Sequence, residues 1–200
     1  MIENWDLDLA YRVALLLFGA PFALMRLYHE RKSRVDNTVE NYHEASAIRS
    51  SIVVVQGAGG LGMILWLLHP SLMQWSEVPM AEYIRWTGAG LGCIGALSTF
   101  WVHCFLGENF SPYLHISEEH QLVTTGPYRL ARHPMYTSLY LLLIGISLLM
   151  ANWFVFLSQV GVLTVLLIYR LPREEALILE VFGDEYREYR ERVGRFCPFF

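Results

Sequence analysis

Two polar stretches hold most of the residues able to do chemistry. The first, 108–136, contains His120-Gln121-Leu122-Val123-Thr124-Thr125-Gly126-Pro127-Tyr128 and then Arg129-Leu130-Ala131-Arg132-His133-Pro134-Met135-Tyr136. The second begins at Arg170 and contains Arg170-Leu171-Pro172-Arg173-Glu174-Glu175 and Phe182-Gly183-Asp184-Glu185-Tyr186. Arg170 offers a planar fork of permanent positive charge, suited to holding a carboxylate through two parallel hydrogen bonds. Glu174 lies four residues on and shares its helical face, although Pro172 between them removes a backbone donor and can kink the helix. The plainer reading of this pair is an ion pair anchoring a helix end in the headgroup layer. His133 precedes a proline, so its backbone is pushed off helical geometry and Pro134 can start a helix, exposing the imidazole and nearby amides to a ligand. Alternatively, His133 and Tyr136 are interfacial anchors, a depth that amphipathic rings favour. Gly126-Pro127 reads as a turn, which makes residues 120–123 an extended or looped wall ahead of the Tyr128 ring. No metal is expected: His115 and His120 with Glu118 or Glu119 lack zinc-ligand spacing, and Cys93, Cys104 and Cys197 form no CxxC pair.

These stretches must be positioned by apolar elements, because 54% of the 200 residues are hydrophobic. Apolar runs occupy 7–27, 52–68, 84–106, 136–150 and 153–169. At ~20 residues per spanning helix the first three cross a bilayer comfortably. The last two are shorter and separated only by Ala151-Asn152, so they read as tilted spans or as a hairpin that does not fully cross. Both polar stretches flank this hairpin and can therefore converge. Positive charge gathers in loops on one side: Arg31, Lys32, Arg34 and Arg49 follow the first run, Arg129 and Arg132 follow the third, and the tail holds Arg170, Arg173, Arg187, Arg190, Arg192 and Arg195, whereas 69–83 carries no Lys or Arg. By the positive-inside rule the N-terminus is expected outside and the C-terminus in the cytoplasm. The acidic start, Glu3 and Asp6, is unlike a cleaved signal peptide, so the first run is expected to be retained. The expected fold is all-α, a polytopic membrane protein of about five transmembrane helices. Residues 1–106 supply N-terminal helices and 107–200 a catalytic region with the hairpin and a cytoplasmic cofactor-binding part, in one integrated domain.

Small residues suggest where helices meet closely: Gly88, Gly92, Gly95 and Ala96 form one face, which Ala58 and Gly62 are expected to oppose. The run Gly57-Ala58-Gly59-Gly60-Leu61-Gly62 matches a dinucleotide fingerprint, but its surroundings are continuous apolar runs instead of alternating strands and helices. A net charge of −4 offers no basic field for nucleic acid. The interleaved Glu180, Asp184, Glu185, Glu188 and Glu191 with Arg187, Arg190 and Arg192 read as the solvated face of an amphipathic tail helix.

The order L-V-x-x-G-x-Y, R-H-P-x-Y, E-E and F-G-x-E-Y resembles the isoprenylcysteine carboxyl methyltransferase family, over roughly residues 110–198. The N-terminal helices match only in being hydrophobic, and the loop around His115 has no family counterpart. The resemblance implies an enzyme that methylates a carboxylate on a lipid-like or prenylated substrate at the membrane, with S-adenosylmethionine held by the C-terminal region. It places cofactor contacts on His120, Gln121, Leu122, Val123, Tyr128, His133, Pro134, Met135, Tyr136 and Glu174, and acceptor binding on Arg170, with Arg170 and Glu174 as the catalytic pair. The chemistry is compatible: a carboxylate is ionised at neutral pH, so methyl transfer to it rests on alignment and exclusion of water without a general base. Alternatives are a membrane methyltransferase of phospholipid amines or small thiols, which requires a base such as His115, His120 or His133; a nicotinamide-dependent membrane reductase; and a noncatalytic scaffold.

Overall fold

The computed structural model describes residues 3–32, 46–106 and 122–196. Apolar runs without strand-like alternation become helices, because in lipid every backbone polar group must be satisfied within its own segment. Helix α1 spans Glu3–Lys32, α2 Ser46–Leu68, α3 Glu82–Leu106 and α4 Pro134–Met150. A short α5, Trp153–Phe156, passes through a π-helical turn at Leu157–Gly161 into α6, Val162–Arg192. Two 3₁₀ turns, Pro70–Ser76 and Gly126–Arg129, complete the described elements.

Among the described residues, four helices are long and apolar enough to cross a membrane: Leu7–Tyr28, Ser51–Leu68, Glu82–Leu106 and Trp153–Arg192. The fifth apolar helix, α4, has 17 residues, or about 25 Å at 1.5 Å per residue against a hydrocarbon layer of about 30 Å. The five expected apolar helices are thus present. The last apolar run, however, does not stop near residue 169 but continues into the polar tail within α6, which kinks at Gly183. Pro172 does not break it; the non-helical residue is Gly183, at φ 52° and ψ −122°, a left-handed conformation that glycine adopts at little cost.

Close backbone approach seals α3 against α4. A Cβ on Gly88 would lie 2.7 Å from the Leu149 amide nitrogen, one on Gly95 would collide with the Leu142 backbone, and one on Gly145 with the Gly92 backbone. The glycine face of α3 therefore meets α4, not Ala58 and Gly62 as its small residues suggested. Gly62 instead faces Met73 and Phe154, and Gly59 receives Ser158 and Gln159 of the π turn, where the Gln159 amide donates to the Gln56 carbonyl at 3.0 Å. The fingerprint-like glycines lie wholly inside α2.

The core joins Tyr11, Leu15 and Phe18 of α1 and Trp66 of α2 to Leu142, Ile146, Leu149 and Met150 of α4, with Met73 and Val155. At the α4–α5 corner, Ala151 takes a left-handed conformation (φ 50°), and the Asn152 side chain caps α5 by accepting from the Val155 amide at 3.0 Å. The same side chain donates to Ser76 Oγ at 2.7 Å, tying the 3₁₀ turn over this corner. The hairpin carries the start of α4 and the far half of α6 to the same end of the molecule.

Candidate active site

At that end the two polar stretches meet. Pro134 opens α4 and His133, at φ −124° and ψ 59°, is its N-cap residue, as the His-Pro pair implied. On α6, Glu174 and Glu175 point to opposite sides of the His133 ring. Nδ1 lies 3.8 Å from Glu174 Oε1 and Nε2 lies 3.4 Å from Glu175 Oε1. Tyr136, one turn into α4, donates its hydroxyl to Glu174 Oε2 at 2.7 Å, and its ring stacks on His133 with centroids 5.8 Å apart. Arg170 Nε sits 3.6 Å from Glu174 Oε2, so the two residues share a face in spite of Pro172. Glu174 retains 25% of its side-chain surface and Arg170 31%, leaving both within reach of a small molecule.

Glu175 is the buried counterpart. Its carboxylate accepts two hydrogen bonds from Arg195, at 2.7 and 3.2 Å, and pairs with Arg132 at 3.1 Å. One carboxylate of the doublet is therefore enclosed by two guanidiniums and an imidazole, while the other faces outward.

Tyr128 closes a third side. Its carbonyl accepts from the Tyr189 hydroxyl at 2.6 Å, which fastens the 3₁₀ turn to the end of α6. Burial pushes the Tyr128 phenol above its ordinary value, and the Glu174 carboxylate adds to the rise, so the ring is a neutral aromatic wall at any working pH. The turn requires Gly126: its φ is +59°, and a Cβ there would collide with the Phe105 ring.

Of the expected site residues, Tyr128, His133, Tyr136, Arg170 and Glu174 converge on one cluster. Pro134 is buried at its base, and Leu122, Val123 and Met135 are half-buried. His120 and Gln121, like His115, lie outside the described residues. One expectation is corrected: the His133 imidazole is not exposed but only 5% accessible, because Glu175 and Phe196 cover it. The neighbouring amides are likewise not free for a ligand, since Arg132 N donates to the Gly194 carbonyl and His133 N to the Arg195 carbonyl, both at 2.9 Å.

A family model described as phospholipid methyltransferase matches residues 83–185, from the start of α3 through the Glu174-Glu175 doublet. Protein-S-isoprenylcysteine O-methyltransferase B of Arabidopsis thaliana is 32% identical over 161 residues, covering 78% of this chain and 82% of its own. The chain belongs to the isoprenylcysteine carboxyl methyltransferase family. A probable protein-S-isoprenylcysteine O-methyltransferase of Oryza sativa subsp. indica is 26% identical over 192 residues, 94% of each chain. A solved structure of the eukaryotic intramembrane Ras methyltransferase, an isoprenylcysteine carboxyl methyltransferase, superposes with a TM-score of 0.57 at 20% identity. It shares the fold over 96% of this chain, which spans 62% of that longer protein.

In this membrane methyltransferase, sequence reasoning missed Arg132, Glu175, Tyr189 and Arg195. Their types were visible but unremarkable: two of many loop and tail arginines, the second member of an acidic doublet, and a tyrosine on a helix read as solvated. The spacing of Tyr186 and Tyr189, both buried, was the available signal that the tail helix has an inner face.

Proposed function

We propose that this chain transfers a methyl group from S-adenosylmethionine to the carboxylate of an isoprenylcysteine or a similarly lipid-like acceptor, at the membrane surface. The observation that carries the reading is the cluster around Glu174, in which Tyr136 and His133 from one motif and Arg170 from the other meet about a single partly exposed carboxylate. The donor set fits such a cofactor. An outward-facing carboxylate suits its ammonium and sulfonium charges, and neutral tyrosine rings with half-buried Leu122 and Val123 suit an adenosine. When bound, S-adenosylmethionine supplies a methyl group activated on a positively charged sulfur.

The chain's own contribution is positional. Tyr136 orients Glu174 by donating to Oε2, leaving Oε1 on the side of His133. Arg170, at the inner end of an apolar helix, is suited to holding the acceptor carboxylate while the lipid chain lies along the membrane. The acceptor arrives already ionised, and the chemical gain comes from alignment and exclusion of water. In this reading the site faces the cytoplasm and the N-terminus lies outside, the orientation favoured by arginines clustered at the site's end of the molecule.

The family model's phospholipid description favours a second acceptor class, phospholipid amines. An amine must lose a proton to attack, so it needs a base, and His133, enclosed between two carboxylates, is poorly disposed to reach one. Calorimetric titration of S-adenosylhomocysteine into detergent-purified protein tests the cofactor. Saturable binding weakened by both Glu174→Ala and His133→Ala is expected, and no binding by well-folded wild type would refute it. Methylation of a prenylated cysteine that stays flat between roughly pH 6.5 and 8.5 is expected for a carboxylate acceptor; a limb rising with pH would favour an amine or thiol.

A further inference from the structure

Val193 leaves α6 in extended conformation, with φ −129° and ψ 125°, and residues 194–196 fold back over the loop before α4. Three consecutive carbonyls of this strap are used. Gly194 accepts from the Arg132 amide, Arg195 from the His133 amide, and Phe196 from Thr137 Oγ1 at 3.1 Å. The Arg195 side chain turns inward and grips both oxygens of Glu175, and the Phe196 ring lies 6.5 Å from the His133 ring. The strap lies beyond residues 83–185, the part that the family model matches.

We propose that Arg195 and Glu175 are positioning residues for the cofactor site: their ion pair latches the strap over residues 131–133 and so holds His133 and Tyr136 against Glu174. The inference rests on the cofactor reading above. An imidazole facing Glu174 alone is free to rotate about its side-chain bonds; here its other nitrogen faces Glu175, its backbone amide is bound by the strap, and its ring is covered by Phe196. A site held from behind in this way depends on its supporting contacts for geometry. The coupling is reciprocal, since whatever strap docking contributes to cofactor affinity, cofactor binding returns as tighter docking. A strap that merely secures the end of the chain has no such coupling.

The test is calorimetric titration of S-adenosylhomocysteine into full-length wild type, Arg195→Ala and Arg195→Lys, with hydrogen exchange followed at the Arg132 and His133 amides. Arg195→Ala is expected to weaken binding by about 10-fold or more, within the usual range of coupling between sites. Arg195→Lys should recover part of the loss, keeping the charge without the fork. Ligand should slow exchange of both amides in wild type and do so less in Arg195→Ala. Equal affinity in wild type and folded Arg195→Ala, or exchange indifferent to ligand, overturns the inference. If Arg195→Ala does not fold, Arg195→Lys with wild-type affinity and unchanged ligand protection overturns it equally. Wild type that binds no S-adenosylhomocysteine refutes the cofactor reading itself, and this inference falls with it.

Discussion

Replacing Glu175 by Gln changes one oxygen for a nitrogen, keeps the volume, and removes the charge on which the end of the molecule is organised. Glu175 is 5% accessible, and the Arg132 side chain it compensates is 9% accessible. Once the carboxylate is neutral, that guanidinium is left buried without a counter-charge, a change that costs about 3–5 kcal/mol. The Arg195 side chain is half exposed, so losing the carboxylate does not leave it buried without a counter-charge and adds no comparable penalty to global stability. At roughly 2–4 °C per kcal/mol for a chain of this size, Glu175→Gln should lower Tm by about 6–20 °C. The assay is thermal unfolding followed by tryptophan fluorescence at fixed protein and detergent concentration. Glu174→Gln is the control: its side chain is a quarter exposed, so a loss of only about 1 kcal/mol or less is expected. A Glu175→Gln protein melting within about 2 °C of wild type, or a Glu174→Gln protein falling just as far, would refute the division into a buried structural and an exposed functional carboxylate.

Other outcomes follow from the same geometry. Gly95→Ala and Gly145→Ala drive a methyl into the backbone of the facing helix and should destabilise by about 1–3 kcal/mol each; Gly90→Ala, with nothing within 4 Å of the new carbon, should be neutral or stabilising by up to about 1 kcal/mol, and equal melting of all three would contradict the close α3–α4 contact. Asn152→Ala loses the cap on α5 and the tie to Ser76, which should cost about 1–2 kcal/mol in a melting experiment. Arg170→Ala should raise the KM for a prenylated acceptor by roughly 10–100-fold, the worth of charge-assisted hydrogen bonds to a carboxylate, and affect S-adenosylhomocysteine affinity less than Glu174→Ala does. A KM left unchanged would remove Arg170 from acceptor binding.

Much of this was legible in the chain itself. Apolar runs of membrane length can only become helices in lipid, so the helical fold and its five apolar elements follow from composition and run length. The turn at Gly126, the helix start at Pro134 and the shared face of Arg170 and Glu174 follow from local rules, because each concerns residues within one turn of backbone. What the tertiary structure decided lies at longer range. Tyr136 meets Glu174 across 38 positions, His133 meets Glu175 across 42, and Tyr189 meets Tyr128 across 61. No periodicity encodes such pairings; they depend on the hairpin corner at Ala151-Asn152 and on α6 continuing past Pro172. The burial of His133 was hidden for the same reason, since a His-Pro pair dictates the dihedral angles of the histidine but not that an arginine 62 positions later will bring a strap down over its ring.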